Sequence, residues 1–357
     1  MSILQIALRI LDLLALAVAV PVVVNGVVTL SGLEGETTTD HWTQRWFHAL
    51  DLRLRNLLDF WGNLGVLYLL VRLALWAGTS WDTPSSRALG AVGFSALVFA
   101  FYTPVIAGLN ALLMLLVHNR PLDLDKERYF PLARRLEDPA VFADLRAEVA
   151  ALMASTGRIP ALTDVYSNIT MSQQGPTADG SPGWGAWRAF FIRMQSIDVP
   201  VARAWLPRLF EELDQAPEVY NATLSILDPG RKLDLHRGHS KAKVRYHLGL
   251  IVPSVEDAWM DVGDARHHWR EGEGVVFDDM YPHAATNQAS SPRVVLFIDI
   301  WRRLPWPLSF CPSFLDWFGR YHPIVRMIRR RYDDAVVGFP ASVEMATQPE
   351  RTGDSLR

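Results

Sequence analysis

Three long apolar runs occupy the first third of the chain, at about 13–33, 60–81 and 89–117, and a more polar sequence follows them. A helix crosses the roughly 30 Å hydrocarbon core of a bilayer with about 20 apolar residues, so each run is long enough to span it. Arg72 interrupts the second run, and a charge within a span should face protein or water. The pattern predicts a membrane region over residues 1–120 with two to three transmembrane helices.

Basic residues are unevenly distributed around these runs. The loop at 78–88 has only Arg87, whereas five basic residues closely follow the third run, namely Arg120, Lys126, Arg128, Arg134 and Arg135. Cytoplasmic loops carry an excess of Lys and Arg, so the C-terminal part is expected on the cytoplasmic side. The chain is therefore predicted to be an integral membrane protein of the inner, or cytoplasmic, membrane if it is bacterial. The lipid bilayer would then be one of its partners.

From residue 121 onward the apolar positions follow shorter patterns. Helical spacing covers 139–155 and 201–213, and runs of β character follow at 220–227, 243–252, 274–278 and 293–301. Short strands separated by turn residues favour an antiparallel barrel or jelly roll. The expected fold is therefore a set of N-terminal transmembrane helices plus a mainly-β catalytic domain over 121–303. That domain is expected to be a jelly-roll or cupin-like double-stranded β-helix with flanking helices.

The C-terminal segment 304–340 is rich in Trp, Phe and Arg and is interrupted by prolines. Such a composition predicts an amphipathic segment at a membrane interface, with its arginines near anionic headgroups. The alternative is a helix that packs on the barrel and leaves a basic face in solvent. Residues 341–357 are expected to form a disordered tail.

Composition narrows the classes of function. A formal net charge of −3 argues against the broad basic face of a nucleic-acid-binding protein. Because Cys311 is the single cysteine, the chain can form neither an intrachain disulfide nor a zinc cluster built on cysteines.

Two histidines bracket two of the apolar strands, His236 before them and His283 at the end of the segment from Phe277. Imidazole suits iron, and a metal with few protein ligands keeps positions open for a co-substrate and dioxygen. Their spacing alone is a weak signal, since a lone histidine is more often structural. Arg245 and Arg293 lie on apolar strands, where a guanidinium needs an anionic partner. A small dicarboxylate could be that partner, and the alternative is a salt bridge to Asp278, Asp279 or Asp299.

The stretch from Ser225 to Trp301 resembles the aspartyl/asparaginyl β-hydroxylase family. This family is a branch of the Fe(II)/2-oxoglutarate dioxygenases that includes lipid A and ornithine-lipid acyl hydroxylases. The resemblance rests on the order and spacing of several short motifs: Ser225-Ile226-Leu227-Asp228-Pro229-Gly230, His236-Arg237-Gly238, Arg245-Tyr246-His247-Leu248-Gly249-Leu250, Trp269 with Glu271-Gly272, Phe277 to His283, and Arg293 with Asp299-Ile300-Trp301.

The resemblance implies a metal site in which His236 and His283 bind Fe(II). Gly238 stands where the usual facial triad supplies Asp or Glu, a departure that the protein-hydroxylating members share, whereas lipid-hydroxylating relatives typically keep an aspartate. A water could complete the metal's coordination shell, and Asp279 would act on it as a second-shell hydrogen-bonding group.

The resemblance also implies the binding of 2-oxoglutarate. Ser225 and Arg293 would hold its distal carboxylate, and Arg245 and His247 would position the carboxylate next to the keto group. The implied reaction consumes 2-oxoglutarate and O₂, releases succinate and carbon dioxide, and hydroxylates a C–H bond.

Substrate contacts are expected from Arg237, Trp187 and Arg188. The leading hypothesis is hydroxylation of an acyl chain in a membrane lipid, and the alternative is β-hydroxylation of Asp or Asn in a protein or peptide. A non-catalytic membrane scaffold and a halogenase that uses the vacant ligand position are further readings.

Overall fold

The structure is a computed structural model that describes residues 3–30, 57, 60–66, 68–69, 109–110, 112–155, 159–165, 187–238, 240–321 and 323–336. The chain divides into two compact units, Met1–His118 and Asn119–Arg357. The tail expected at 341–357 lies outside the described residues, and so do most of the second and third apolar runs.

The first unit contains the helix α1, Ile3–Leu30. This helix begins well before the apolar run and includes Arg9 and Asp12, and the Tyr68 hydroxyl donates a hydrogen bond of 2.9 Å to the Asp12 carboxylate. Within the described ranges, no helix has both the length and the apolarity needed to cross a bilayer. The predicted transmembrane helices, and the integral-membrane localisation derived from them, are therefore wrong. The prediction rested on the lengths of the apolar runs in the sequence, and the described helices do not have those bounds.

Eight helices are described in the second unit. The longest, α4, begins with Pro139 after the N-cap Asp138, whose Oδ1 accepts hydrogen bonds from the amides of Ala140 (3.0 Å) and Val141 (3.3 Å). The eight are α2 (Lys126–Tyr129), α3 (Ala133–Leu136), α4 (Pro139–Ala154), α5 (Leu162–Val165), α6 (Pro200–Trp205), α7 (Pro207–Leu213), α8 (Phe310–Tyr321) and α9 (Pro323–Ala335). The helix expected over 201–213 is divided in two because Pro207 lacks the amide hydrogen that a continuous helix needs.

Ten strands among the described residues make up two antiparallel sheets. They are β1 (Trp187–Met194), β2 (Ile197–Asp198), β3 (Val219–Leu227), β4 (Arg231–His236), β5 (Lys243–Ile251), β6 (Ala258–Val262), β7 (Ala265–His268), β8 (Gly274–Phe277), β9 (His283–Asn287) and β10 (Arg293–Trp301). The six-stranded sheet has the order β2-β1-β3-β10-β5-β8, and the four-stranded sheet has the order β4-β9-β6-β7. The mainly-β, jelly-roll expectation is confirmed.

The alternation of side chains along the strands separates two apolar cores. Leu224 and Ile226 of β3 belong to the larger core, which includes Leu145 and Val149 of α4. Leu227 belongs to the smaller core, with residues of both sheets such as Met260 and Phe277. The polar side chains described below lie around this smaller core.

The C-terminal helices pack on the six-stranded sheet. The fully buried Tyr332 of α9 accepts a hydrogen bond of 2.9 Å from the amide of Phe191 in β1, and its ring is 4.7 Å from that phenyl ring. Asp316 of α8 accepts a 3.0 Å hydrogen bond from the Ser196 hydroxyl. The segment 304–340 therefore includes helices that pack on the barrel. Its contact with a membrane stays a prediction.

Candidate active site

Strand β4 ends and strand β9 begins with a histidine, and the two face each other. His236 and His283 are register partners with ring centroids 4.2 Å apart. The register of β4 and β9 shifts between Leu233 and His236, so β4 contains a β-bulge just before its histidine. A bulge changes which side chains face the partner strand, and here it brings His236 opposite His283.

The surroundings of His283 suit a metal ligand. Its Nδ1 lies 2.9 Å from the carbonyl oxygen of Tyr281, which can accept a hydrogen bond only from a protonated nitrogen. With the proton on Nδ1, the lone pair of Nε2 is the one that can bind a metal. Burial, and after it the charges of His236 and Arg245, lower the pKa of His283 to about 3. The His283 ring is therefore neutral near pH 7, the form in which imidazole binds a metal such as Fe(II). No group of three or more His, Cys, Asp or Glu side chains is arranged as metal ligands within the described ranges.

Gly238, two residues after the first histidine, is in contact with Asp279. A Cβ atom on residue 238 would lie 2.1 Å from Oδ2 and 2.2 Å from Cγ of Asp279. The Gly238 amide also donates a 2.6 Å hydrogen bond to the Asp279 carbonyl oxygen. The carboxylate of Asp279 therefore fills the space that a side chain at 238 would need.

Asp279 belongs to a buried set of four ionic side chains, Lys243, Arg245, Asp279 and Asp299, which we call the charge cluster. Arg245 Nη2 is 2.8 Å from Asp279 Oδ2, and Arg245 Nε is 2.9 Å from Asp299 Oδ1. Lys243 Nζ lies 2.6 Å from Asp299 and 3.4 Å from Asp279. Burial alone would raise the pKa of Asp299, but Arg245 and Lys243 hold that pKa below its usual value.

Arg293, the first residue of β10, is a buried cation. It is 1% exposed, and its guanidinium carbon lies 4.3 Å from the ring centroid of Trp269. Its Nε has no hydrogen-bond partner in the part of the chain that the structure describes. Burial lowers its pKa to about 9. Because an uncompensated buried charge is costly, this position is suited to a small anion.

A series of aromatic rings connects the histidine pair with Arg293; we call His283, Phe277, His247 and Trp269 the ring series. Successive centroids are 5.8, 4.9 and 6.1 Å apart. Burial, followed by the charge of Arg245, lowers the pKa of His247 well below its usual value. Its Nδ1 and the indole nitrogen of Trp269 are buried without a partner among the described residues. Polar atoms are thus available to a ligand along the series.

Three other predicted site residues interact within the fold or lie beside the histidine pair. Trp187 Nε1 donates a 3.0 Å hydrogen bond to Ser225 Oγ, and Arg188 forms a 2.6 Å ion pair with Asp228. Arg237 is half-buried next to His236. Substrate contact by Arg237, Trp187 and Arg188 stays a prediction, as do the roles of the other site residues.

Several polar residues near the site were not predicted to belong to it. Every second residue of a strand faces the same side of its sheet, so β5 directs Lys243 to the same face as Arg245 and His247. Lys243 could therefore have been predicted from the sequence. The Nε2 atom of His267 on β7 is also buried. Trp269 was part of the family resemblance, but no role in the site was predicted for it.

Curated proteins with similar sequences are named either as a lipid acyl hydroxylase or as aspartate beta-hydroxylase proteins. An ornithine lipid ester-linked acyl 2-hydroxylase of Rhizobium tropici is 30% identical over 183 residues, which cover 51% of this chain and 61% of that protein. Aspartate beta-hydroxylase domain-containing protein 2 of Xenopus tropicalis is 28% identical over 188 residues, or 50% of this chain and 48% of that protein. Human aspartyl/asparaginyl beta-hydroxylase is 29% identical over 122 residues, or 33% and 16%. The chain thus spans less than two thirds of the length of these relatives.

Solved structures share less sequence. AviO1 from Streptomyces viridochromogenes Tue57 is 14% identical with a TM-score of 0.32, covering 52% of this chain and 98% of that one. A Pseudomonas putida prolyl-4-hydroxylase is 17% identical with a TM-score of 0.30, covering 48% and 99%. These likenesses are too weak to support a conclusion. The model of the family described as aspartyl/asparaginyl beta-hydroxylase matches residues 140–303, the part of the chain that contains both histidines and the charge cluster.

Proposed function

We propose that the protein is an Fe(II)- and 2-oxoglutarate-dependent hydroxylase. The observation that carries the proposal is Arg293, a buried cation with no carboxylate partner among the described residues, at the far end of the ring series from the facing histidines. A dicarboxylate would supply the missing anion at Arg293 and would direct its other end toward the metal site.

His236 and His283 would hold the metal. Iron bound with 2-oxoglutarate and O₂ supplies the oxidising power, while one oxygen atom ends in succinate and the other in the hydroxylated product. Arg293 would bind the distal carboxylate, and Ser225 would donate its hydroxyl hydrogen to it. In its hydrogen bond with Trp187, Ser225 Oγ is the acceptor, so its own hydroxyl hydrogen can be donated to the ligand. Phe277 and Phe297 flank His247 and would exclude water from the ligand.

Succinate formation tests this function directly. Purified protein with Fe(II), 2-oxoglutarate and O₂ should release succinate, even slowly without substrate, and His283→Ala should abolish the release. The Arg293→Met variant should need a much higher 2-oxoglutarate concentration. Equal background rates for the wild type and His283→Ala would contradict the proposal and would favour the non-catalytic scaffold.

An acyl chain of a lipid is our first choice of substrate. In support, the relative from Rhizobium tropici is named as an acyl hydroxylase of ornithine lipids. A second candidate is an Asp or Asn side chain, which the glycine at position 238 favours because the protein-hydroxylating members of the family share it. Lipid mass spectrometry of cells with and without the gene distinguishes the two. A lipid species heavier by one oxygen, present only with the gene, supports the first, and its absence contradicts it.

The C-terminal helices support a lipid substrate independently of the site. On α8, Phe310 and Trp317 are 66% and 59% exposed, and Phe310 stacks on Phe314 with centroids 5.5 Å apart. We call Phe310, Phe314 and Trp317 the aromatic face. The helix α9 exposes the cations Arg326, Arg330 and Arg331. Exposed aromatic and basic groups complement an anionic lipid surface, so the proposed partner is the headgroup layer of a bilayer.

A further inference from the structure

Residues 119–124, which we call the strap, lie beside β8, the edge strand of the six-stranded sheet. The Leu124 amide donates a 2.9 Å hydrogen bond to the Val276 carbonyl oxygen, and the Pro121 carbonyl oxygen accepts one of 2.9 Å from the Asp278 amide. The two bonds join the strap to β8 in antiparallel order. The strap therefore continues the sheet beyond β8 and follows the chain into the turn after it.

This turn, residues 278–281, leads from β8 to the histidine at the start of β9. The Tyr281 amide closes the turn with a 3.2 Å hydrogen bond to the Asp278 carbonyl oxygen. The strap bonds to both ends of the turn, because it accepts from the Asp278 amide at one end and from the Tyr281 hydroxyl at the other. The second bond runs to the Asn119 carbonyl oxygen and is 2.6 Å long.

Two further contacts fix the strap itself. The buried Lys241 donates a 3.0 Å hydrogen bond from Nζ to Asn119 Oδ1 and also forms an ion pair with the carboxylate of Asp278. Leu122 is 6% exposed and packs in the smaller core. Asn119 is thus bonded through its side chain and through its carbonyl group, so it cannot move without breaking buried polar contacts.

We infer that the strap positions the metal ligand His283, with Tyr281 as the positioning residue between them. The strap binds the hydroxyl of Tyr281, and the carbonyl oxygen of the same residue accepts the hydrogen bond from His283 Nδ1. A group that bonds the second nitrogen of a metal-binding histidine fixes the orientation of its ring. Pro282 limits the backbone rotation of Tyr281, so a tyrosine that moves would carry its carbonyl oxygen with it.

The inference rests on the proposed iron site and adds to it a segment that precedes residue 140, where the match to the family model begins. The competing explanation is that the strap only stabilises the fold. The two explanations differ in what they predict for metal affinity, because a stabilising contact far from the histidines should leave that affinity unchanged.

Binding of Mn(II) in place of iron, followed by electron paramagnetic resonance, tests the inference without turnover. Tyr281→Phe keeps the ring and removes the hydroxyl, and it should weaken Mn(II) binding by about fivefold. Groups that bond a ligand directly change metal affinity by roughly 10- to 100-fold, and this hydroxyl acts one step further away. Asn119→Ala, which removes the bond from Lys241, should weaken binding in the same direction. Combined with Tyr281→Phe it should add nothing, because the route through the hydroxyl is already lost.

Tyr332→Phe is the matched control, since the Tyr332 hydroxyl is also bonded to the backbone, but on α9. Urea unfolding should show that both tyrosine variants are less stable than the wild type, whereas only Tyr281→Phe should lose Mn(II) affinity. Wild-type affinity in Tyr281→Phe, or an equal loss in Tyr332→Phe, would overturn the inference and leave the proposed function intact. A wild-type protein that binds no Mn(II) would instead contradict the proposed function, and the inference would fall with it.

Discussion

Gly238 is required by its neighbour, because the Asp279 carboxylate occupies the space of a Cβ atom. We predict that Gly238→Ala lowers the free energy of unfolding by about 1–3 kcal/mol, the usual range for overpacking a buried site. Combining it with Asp279→Ala should cost less than the sum of the two single changes, because the second change removes the clash. Urea unfolding of the four proteins measures this coupling, and strict additivity would contradict the steric explanation.

Arg293 makes a second prediction possible. Adding 2-oxoglutarate to the Mn(II)-loaded protein without oxygen should raise its stability, by about 2.7 kcal/mol at one hundred times the dissociation constant. Arg293→Met should lose this gain, although its ligand-free form should be no less stable than the wild type, because an uncompensated buried charge has been removed. Thermal unfolding with and without ligand measures both effects.

Arg188→Met is the matched control for Arg293, since Arg188 is paired with Asp228. This variant should lose stability without ligand and should keep the gain from 2-oxoglutarate. A normal gain in Arg293→Met would show that the distal carboxylate binds elsewhere.

The lowered pKa of His247 predicts that the stability of the protein depends on pH. Its pKa is well below 6.5 in the folded protein, chiefly through burial, so below about pH 6.5 the unfolded chain takes up a proton that the folded chain does not. Stability should therefore fall as the pH falls, by up to about 1.4 kcal/mol per pH unit from this residue. In metal-free protein, His247→Gln should show a shallower fall between pH 6 and 5. Parallel curves would mean that His247 is protonated in the folded state.

At the scale of single residues, the sequence indicated candidate groups better than the contacts that hold them. The two histidines and Arg293 could be named as candidates because they lie in motifs whose order and spacing resemble a known family, whereas the spacing of the histidines alone is a weak signal. An aspartate was one of the two kinds of partner expected for Arg245, but the sequence could not decide between it and a ligand, because Asp279 and Asp299 come from different parts of the chain. Only the packing of β5 between β8 and β10 brings them together.

At the scale of elements, prediction succeeded where apolar residues dominate. The strand β10 was expected at 293–301 and is found there, and β3, β5 and β8 agree within a residue at either end. The four-stranded sheet was missed. Its strands are short, and β4 and β9 carry polar residues such as His236 and Asn287, whose amide donates hydrogen bonds to the carbonyls of Leu227 and Ser291. Such strands lack the strong apolar signal on which the prediction depended.

The aromatic face of α8 yields a prediction about an element. Replacing Phe310 and Trp317 together by serine should lower binding to vesicles of phosphatidylcholine and phosphatidylglycerol by at least about tenfold, since each buried aromatic ring contributes roughly 2 kcal/mol. Binding of the wild type should also weaken at high salt, because the arginines of α9 act through screened charges.

Ile197→Ser is the control for that pair, because Ile197 is an apolar residue of β2 that is 38% exposed. Sedimentation with vesicles should not distinguish it from the wild type. Equal binding by the double serine variant would contradict a lipid surface as the partner of α8.

At the scale of the whole molecule, the second unit contains all the residues assigned to the site. We predict that a fragment of residues 119–357 unfolds cooperatively and is stabilised by Mn(II) with 2-oxoglutarate as much as the full chain is. Its apolar cores and both sheets are drawn from its own residues, so nothing assigned to the site is lost. A fragment that folds but gains nothing from these ligands would contradict the prediction.

The β-bulge before His236 has a consequence for which sequence changes the protein can tolerate during evolution. Leu235, within the bulge, is 66% exposed, so many amino acids could replace it with little effect on packing. Losing this residue should also be tolerated, because Leu233 pairs with Ala285 and His236 with His283, so a chain one residue shorter would pair in regular register and keep the two histidines opposite each other. Losing a second residue is different, because it would turn the histidine to the opposite face of the strand. Lineages that keep the two-histidine site should therefore vary freely in the identity of residue 235, and can lack it, but should keep at least one residue between Leu233 and the histidine.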